Sequence, residues 1–246
     1  MKKGIYLLPN LFTTGNLLCG FLSVIASING QYVQAALAIL LAFLLDCLDG
    51  KVARMTNSSS DFGVEYDSLA DLLSFGLAPG LLLYAWTLRP YGPFGWVAAF
   101  VFVICGALRL ARFNVQAATV QRSIFIGLPI PAAAGVIASA VLLSQQLYGD
   151  LESVEPGHPL PIVLAIYVLA LLMISNVKYR SFKHLRLRRT RPIHLCVALG
   201  LAILMITSKP ALALFLVFCG YALSGPIGAL MRRKKHKEED VVTAEQ

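Results

Sequence analysis

Long apolar segments separated by short polar ones make up most of this chain. Each is close to the roughly 20 residues that a helix needs to cross a bilayer. Turn signals such as Asn29-Gly30 and the run from Arg89 to Pro93 separate neighbouring segments. The pattern predicts spans at about 11–28, 34–54, 62–86 and 94–113, a fifth that begins near Pro131, and three more at 160–177, 192–207 and 210–230. It therefore indicates an all-α polytopic membrane protein of about eight transmembrane helices, with an N-terminal interfacial segment over residues 1–10.

Composition supports this class. Hydrophobic residues make up 57% of the 246 residues and charged ones 14%, and the mean hydropathy is +0.71, whereas a soluble domain is about one quarter charged. The five cysteines lie in apolar segments without CxxC spacing, so neither a disulfide framework nor a zinc site is indicated. We predict a single transmembrane domain over residues 1–231 and a charged, disordered cytoplasmic tail over residues 232–246.

The distribution of basic residues predicts an orientation. With eight spans, all but two of the 21 Lys and Arg residues fall on one side, and the exceptions are Arg89 and Lys209. Because cytoplasmic loops are rich in Lys and Arg, both termini are expected on the cytoplasmic side of the cell membrane. Basic residues spread along one membrane surface suit anionic lipid headgroups. The net charge of +8 therefore does not indicate a nucleic-acid partner.

Four acidic residues lie inside the second and third predicted spans. Such residues are costly at membrane depth and point to function. Asp46 and Asp49 are three apart and Asp67 and Asp71 four apart, so each pair shares one helix face. Two antiparallel helices joined by a short polar turn can direct all four carboxylates into one volume, on the predicted cytoplasmic side.

Four carboxylates in one volume require cations to stay ionised. Oxygen-only ligands favour Mg, Mn or Ca over Zn, and two such ions bridged by carboxylates suit displacement at phosphorus. Arg54 adds a cation that can grip a phosphate with paired hydrogen bonds. Helix-capping or pore-lining acids are the plainer alternative, which the cost of unpaired charge in a membrane disfavours.

The spacing of these residues resembles a known family signature. The chain carries Asp46-x2-Asp49-Gly50-x2-Ala53-Arg54-x8-Gly63-x3-Asp67-x3-Asp71, which is similar to the signature of the CDP-alcohol phosphotransferase family. The resemblance implies transfer of a phosphatidyl group from a CDP-activated lipid to an alcohol, with release of CMP. It implies a divalent metal, Mg or Mn, with two ions bound, and a homodimer.

The same resemblance implies roles for individual residues. Asp46, Asp49 and Asp67 would be the main metal ligands, and Asp71 would be the general base as well as a ligand. Nucleotide or diphosphate contacts would come from the small and basic positions of the signature, namely Gly50, Ala53, Arg54 and Gly63.

Three further runs are similar to the phosphatidylserine synthases within this family. They are the run from Pro9 to Asn16, the run from Gly127 to Gly135 and the run from Ser175 to Lys183. The likeness implies CDP-diacylglycerol and L-serine as substrates, with Thr13 and Asn16 at the cytidine nucleotide. From the residues alone, these two side chains could instead hydrogen-bond to neighbouring helices. From the residues alone, the prolines and small side chains after Gly127 predict only a rigid helix entry and close packing.

Arg109 and Arg112 share a face at the end of the fourth predicted span. Arginines there often extend to lipid phosphates. A guanidinium pair could instead hold a substrate carboxylate or a lipid phosphate. Both interpretations stay open on the sequence.

Two alternatives to a serine transferase also remain open. The acceptor could be glycerol phosphate or an inositol compound, with the same transfer chemistry. The acids could also line the pathway of a cation transporter, although transporters often show repeated halves and no internal repeat is apparent here.

Overall fold

The computed structural model describes residues 7–56, 60–117, 125–149, 159–179 and 208–244. Within this part of the chain, seven helices pack around an apolar core, and two short strands pair antiparallel. We number them α1 (Leu7–Ile28), α2 (Tyr32–Thr56), α3 (Asp61–Tyr91), α4 (Pro93–Ala117), β1 (Phe125–Ile126), α5 (Ile130–Tyr148), α6 (Pro159–Ile174), β2 (Lys178–Tyr179) and α7 (Pro210–Ala244).

Six of these helices are long and apolar enough to cross a membrane, and α6 contributes a shorter apolar segment, Pro161–Ile174. Large apolar side chains on the outer faces, such as Phe21 and Phe100, are exposed, as expected where lipid is the solvent. The predicted all-α polytopic class is confirmed, and the chain is an integral membrane protein. The predicted span at 192–207 lies outside the described residues, as does most of the interfacial segment; residues 7–10 form the first turn of α1.

The end of the last helix differs from the sequence expectation. The last helix continues to Ala244, whereas the sequence predicted a disordered tail from Arg232. Arg, Lys and Glu are good helix formers, so a charged segment can extend a helix that apolar residues have started. At the start of α3 the N-cap is Ser60, whose side chain accepts a hydrogen bond from the Gly63 N–H at 3.1 Å.

Small residues set the distance between α1, α2 and α3. Ala35, Ala36 and Ala42 of α2 have no exposed surface, and α1 packs along this helix. In a membrane, close van der Waals packing of small residues is a main source of helix association. The three helices that carry the predicted site are thereby held close together.

The third helix widens directly after Asp71. Leu72–Leu77 forms a π-helical stretch, a feature frequent at functional sites. Within it, Ser74 is fully buried and its hydroxyl donates to the Asn16 carbonyl oxygen at 2.9 Å. This bond joins α1 to α3 one turn from the acidic cluster.

Gly20 makes this crossing possible. A Cβ at Gly20 would lie 2.3 Å from Ser74 Oγ and 2.8 Å from Ser74 Cα. We therefore expect Gly20→Ala to push α1 from α3 and to lower the stability of the protein by about 1–3 kcal/mol, as overpacking does. The measurement is the thermal unfolding midpoint in detergent. Gly220→Ala is the matched control, because no heavy atom lies within 4 Å of a Cβ there. Equal midpoints for Gly20→Ala and wild type would contradict the expectation.

The segment before α5 is joined to the end of α6. Gly127 adopts φ +81°, and its N–H donates to the Val177 carbonyl oxygen at 2.9 Å. Phe125 pairs with Tyr179 in the two-stranded ribbon. After the turn, Ala132, Ala133 and Ala134 are buried and a Cβ at Gly135 would overlap the Phe218 ring, which confirms the predicted close packing.

Candidate active site

Three of the four predicted aspartates converge. One carboxylate oxygen from each of Asp46, Asp49 and Asp67 lies within 4.8 Å of the other two. Asp49 is buried, and Asp46 and Asp67 are half-buried. Asp46 and Asp49 are on α2 and Asp67 is on α3, so the cluster depends on the packing of two helices.

Asp71 lies beside this cluster, one helical turn beyond Asp67. It is 8% exposed and interacts electrostatically with Asp46 and Asp67. Asn16 Nδ2 of α1 donates to Asp71 Oδ1 at 3.4 Å. Asn16 therefore holds one oxygen of the Asp71 carboxylate, Oδ1, and does not donate to the other, Oδ2.

Thr13 and Asn16 take partners that the sequence did not predict. Thr13 Oγ1 donates to Asp49 Oδ2 at 3.0 Å, and Asn16 donates to Asp71 as described. Both side chains are buried. They orient the carboxylates from the α1 side, while their contact with a nucleotide stays a prediction.

The cluster fits a divalent cation. Asp67 Oδ1 is buried and has no hydrogen-bond partner among the described residues, and an unpaired buried carboxylate oxygen is costly. Three carboxylate oxygens at this spacing form the donor set that hard divalent cations prefer. A bound cation would supply the missing partner and offset the repulsion between the three charges.

The remaining signature positions lie on the same two helices as the aspartates. Gly50 faces the side chain of Arg54, whose Nη1 would lie 3.5 Å from a Cβ there. Arg54 is exposed and interacts electrostatically with Asp49, and Ala53 is half-buried. A Cβ at Gly63 would lie 3.2 Å from Ser60 Oγ and 3.6 Å from Asn10 Oδ1. A side chain at Gly50 would therefore meet Arg54, and one at Gly63 would meet Ser60 and Asn10.

Arg109 and Arg112 do not act as a pair. Arg109 is 9% exposed, interacts electrostatically with Asp71 and Asp46, and has its guanidinium carbon 5.6 Å from the centre of the Phe113 ring. Arg112 instead donates to the end of α6. The sequence placed them on one face, but only the neighbouring helices decide what each one meets.

Several residues around the site were not identified from the sequence. Ser74 supports Asn16 from the π-helical stretch, and the Tyr66 hydroxyl lies 3.0 Å from Thr14 Oγ1. Tyr221 of α7 interacts electrostatically with Arg109. No local motif marks these positions, because each contact joins residues far apart along the chain.

Comparison with known proteins identifies the family. The family model described as CDP-alcohol phosphatidyltransferase matches residues 6–174, which include every predicted site residue. The chain belongs to the CDP-alcohol phosphatidyltransferase family. The family predicted from the aspartate signature is thereby confirmed, and α7 lies beyond the matched residues.

Curated relatives of this CDP-alcohol phosphatidyltransferase agree with the assignment. The chain is 38% identical over 215 residues to the CDP-diacylglycerol–serine O-phosphatidyltransferase of Helicobacter pylori strain J99. This alignment covers 86% of the chain and 87% of the relative. The enzyme of the same name from Bacillus subtilis strain 168 is 35% identical, over 72% of this chain and 91% of the relative. The archaetidylserine synthase of Methanothermobacter thermautotrophicus is 39% identical, over 70% of this chain and 69% of the relative.

Proposed function

We propose that this protein transfers a phosphatidyl group from CDP-diacylglycerol to L-serine, giving phosphatidylserine and CMP. The observation that carries the proposal is the convergence of Asp46, Asp49 and Asp67 next to a buried Asp71. The names of the relatives support serine as the acceptor.

Asp46, Asp49 and Asp67, with Asp71 at their side, would hold two divalent ions, Mg or Mn. When bound, such ions neutralise a diphosphate and stabilise CMP as it leaves. Two residues of α1 orient these carboxylates. Thr13 holds Asp49 and Asn16 holds Asp71, so the carboxylates are oriented before any substrate arrives.

Asp71 would serve as general base. Its Oδ1 accepts from Asn16, so Oδ2 is the atom to receive the serine hydroxyl proton. The serine oxygen then forms a bond to the β-phosphorus of the CDP-lipid, and the bond from that phosphorus to the oxygen of CMP breaks. A carboxylate in such a position contributes about 10²- to 10⁴-fold to the rate.

Arg109 would bind the carboxylate of serine. It is buried, always charged, and interacts electrostatically with Asp71, so an acceptor held there has its hydroxyl close to the proposed base. Gly50, Ala53, Arg54 and Gly63 would border the nucleotide and its diphosphate.

We further propose that the protein lies in the cytoplasmic membrane as a homodimer, with both termini and the site on the cytoplasmic side. The one-sided distribution of Lys and Arg supports this orientation. Placing the site there gives it access to a soluble amino acid and to a lipid diphosphate from the bilayer.

The direct test supplies purified protein with CDP-diacylglycerol, labelled L-serine and either Mn or Mg. We expect labelled phosphatidylserine and an equal amount of CMP. Failure to form labelled lipid under any divalent ion would overturn the proposal. Glycerol phosphate and inositol compounds in the same assay show whether a different alcohol is the acceptor, and divalent-cation flux in vesicles without CMP release would favour a transporter.

A further inference from the structure

The last turns of α4 carry two arginines that meet different parts of the protein. Arg109 lies at the aspartates, whereas Arg112 is directed to the end of α6. Its Nη2 donates to Asn176 Oδ1 at 2.7 Å and its Nη1 to the Ile174 carbonyl oxygen at 3.4 Å. A guanidinium has five N–H donors in a fixed fork, and here both arms of that fork are directed to protein acceptors.

The segment that receives Arg112 is itself held in place. Directly after Asn176, Val177 accepts from the Gly127 N–H, and Tyr179 belongs to the two-stranded ribbon. The Tyr179 hydroxyl donates to the Ala222 carbonyl oxygen of α7 at 3.0 Å. Burial, with a smaller effect of Tyr221, raises the pKa of Tyr179 to about 12, so this hydroxyl keeps its proton. The segment that contains Asn176 is therefore joined to the turn before α5 and to α7, as well as to α6.

The opposite side of the same helical turns is tied to α3. Asn114 Nδ2 donates to Ser68 Oγ at 3.0 Å. The end of α4 is thus held from two directions, by Asn114 on α3 and by Arg112 on the segment after α6. Arg109 lies one turn before these contacts, and a rotation of α4 by one residue, about 100°, would turn it away from Asp71.

We propose, on the basis of the function proposed above, that Arg112 is a positioning residue. Its hydrogen bonds to Asn176 and Ile174 fix the rotation of α4 and so hold the Arg109 guanidinium beside Asp71, where the acceptor alcohol binds. This role replaces the direct contact with an anion that the sequence suggested for Arg112.

The test is a double-mutant cycle on Arg112→Lys and Asn176→Ala. Each change should raise the KM for the acceptor about three- to tenfold, since each removes hydrogen bonds between a charged group and its acceptor. The KM for CDP-diacylglycerol should stay unchanged. The double variant should be no worse than Arg112→Lys alone, because that change already removes the contact with Asn176. Asn176→Asp should keep the low KM, because a carboxylate also accepts from a guanidinium.

The controls are Arg89→Lys, in the last turn of α3, and Asn29→Ala, directly after α1. Both residues are exposed and lie at the helix ends far from the aspartates in sequence. Both changes should leave the two KM values unaltered. Thermal midpoints of all variants separate a local effect on KM from loss of folded protein. An unchanged acceptor KM in Asn176→Ala, or a raised KM for CDP-diacylglycerol in Arg112→Lys, would overturn the proposal. The KM is measured for the alcohol that the wild type uses. If serine is not the acceptor, the wild type itself does not use it. If Arg112 is not a positioning residue, only the variants show it, by an unchanged acceptor KM.

Discussion

Asp71→Asn is expected to lose transfer activity by about 10²- to 10⁴-fold while it still binds CDP nucleotide. The amide has nearly the shape of the carboxylate, and its oxygen can still accept from Asn16, which donates to Oδ1 in the wild type. It cannot take the proton of the attacking hydroxyl. The measurement is the initial rate of CMP release, together with calorimetric titration of a CDP-lipid analogue.

Asp61→Asn is the matched control for this change. Asp61 lies on the same helix, in its first turn, and is exposed, so its neutralisation should leave turnover close to wild type. Full turnover by Asp71→Asn would show that another group takes the proton. Loss of nucleotide binding together with activity would instead assign Asp71 mainly to cation binding.

Removal of divalent cations is expected to have an effect of similar size. A chelator should abolish transfer, and excess Mg or Mn should restore it, because the three converging carboxylates otherwise repel one another and the incoming diphosphate. Binding to the folded state alone also stabilises a protein, by about 2.7 kcal/mol at a ligand concentration 100 times the Kd. We therefore expect Mn to raise the thermal midpoint of the wild type.

Asp67→Asn separates this effect from non-specific cation binding. Asp67 Oδ1 is buried without a hydrogen-bond partner among the described residues, so the neutral amide should stabilise the cation-free protein and should remove most of the increase caused by Mn. Glu65→Gln, at an exposed position two residues before Asp67, should keep that increase. An Mn-dependent shift in Asp67→Asn as large as in wild type would contradict a cation site at the cluster.

The sequence alone predicted the long apolar helices and the acidic faces of α2 and α3. Apolar length indicates a span, and the spacing of Asp46 from Asp49 and of Asp67 from Asp71 places each pair on one side, since helical periodicity is local. The signature then indicated the family, which the comparison confirmed. The residues of the predicted ligand set needed no tertiary information beyond the pairing of two consecutive helices.

The tertiary structure decided what each of these side chains meets. Thr13 and Asn16 hold aspartates 36 and 55 positions away, and Arg112 bonds to Asn176, 64 positions away, although its neighbour Arg109 faces the cluster. No local pattern contains such pairs, because they depend on how closely and at what rotation the helices cross. That geometry is set by small residues such as Gly20, where a single added methyl group would collide with Ser74. Periodicity assigns a residue to a helix face, whereas the packing of other helices against that face determines its partners.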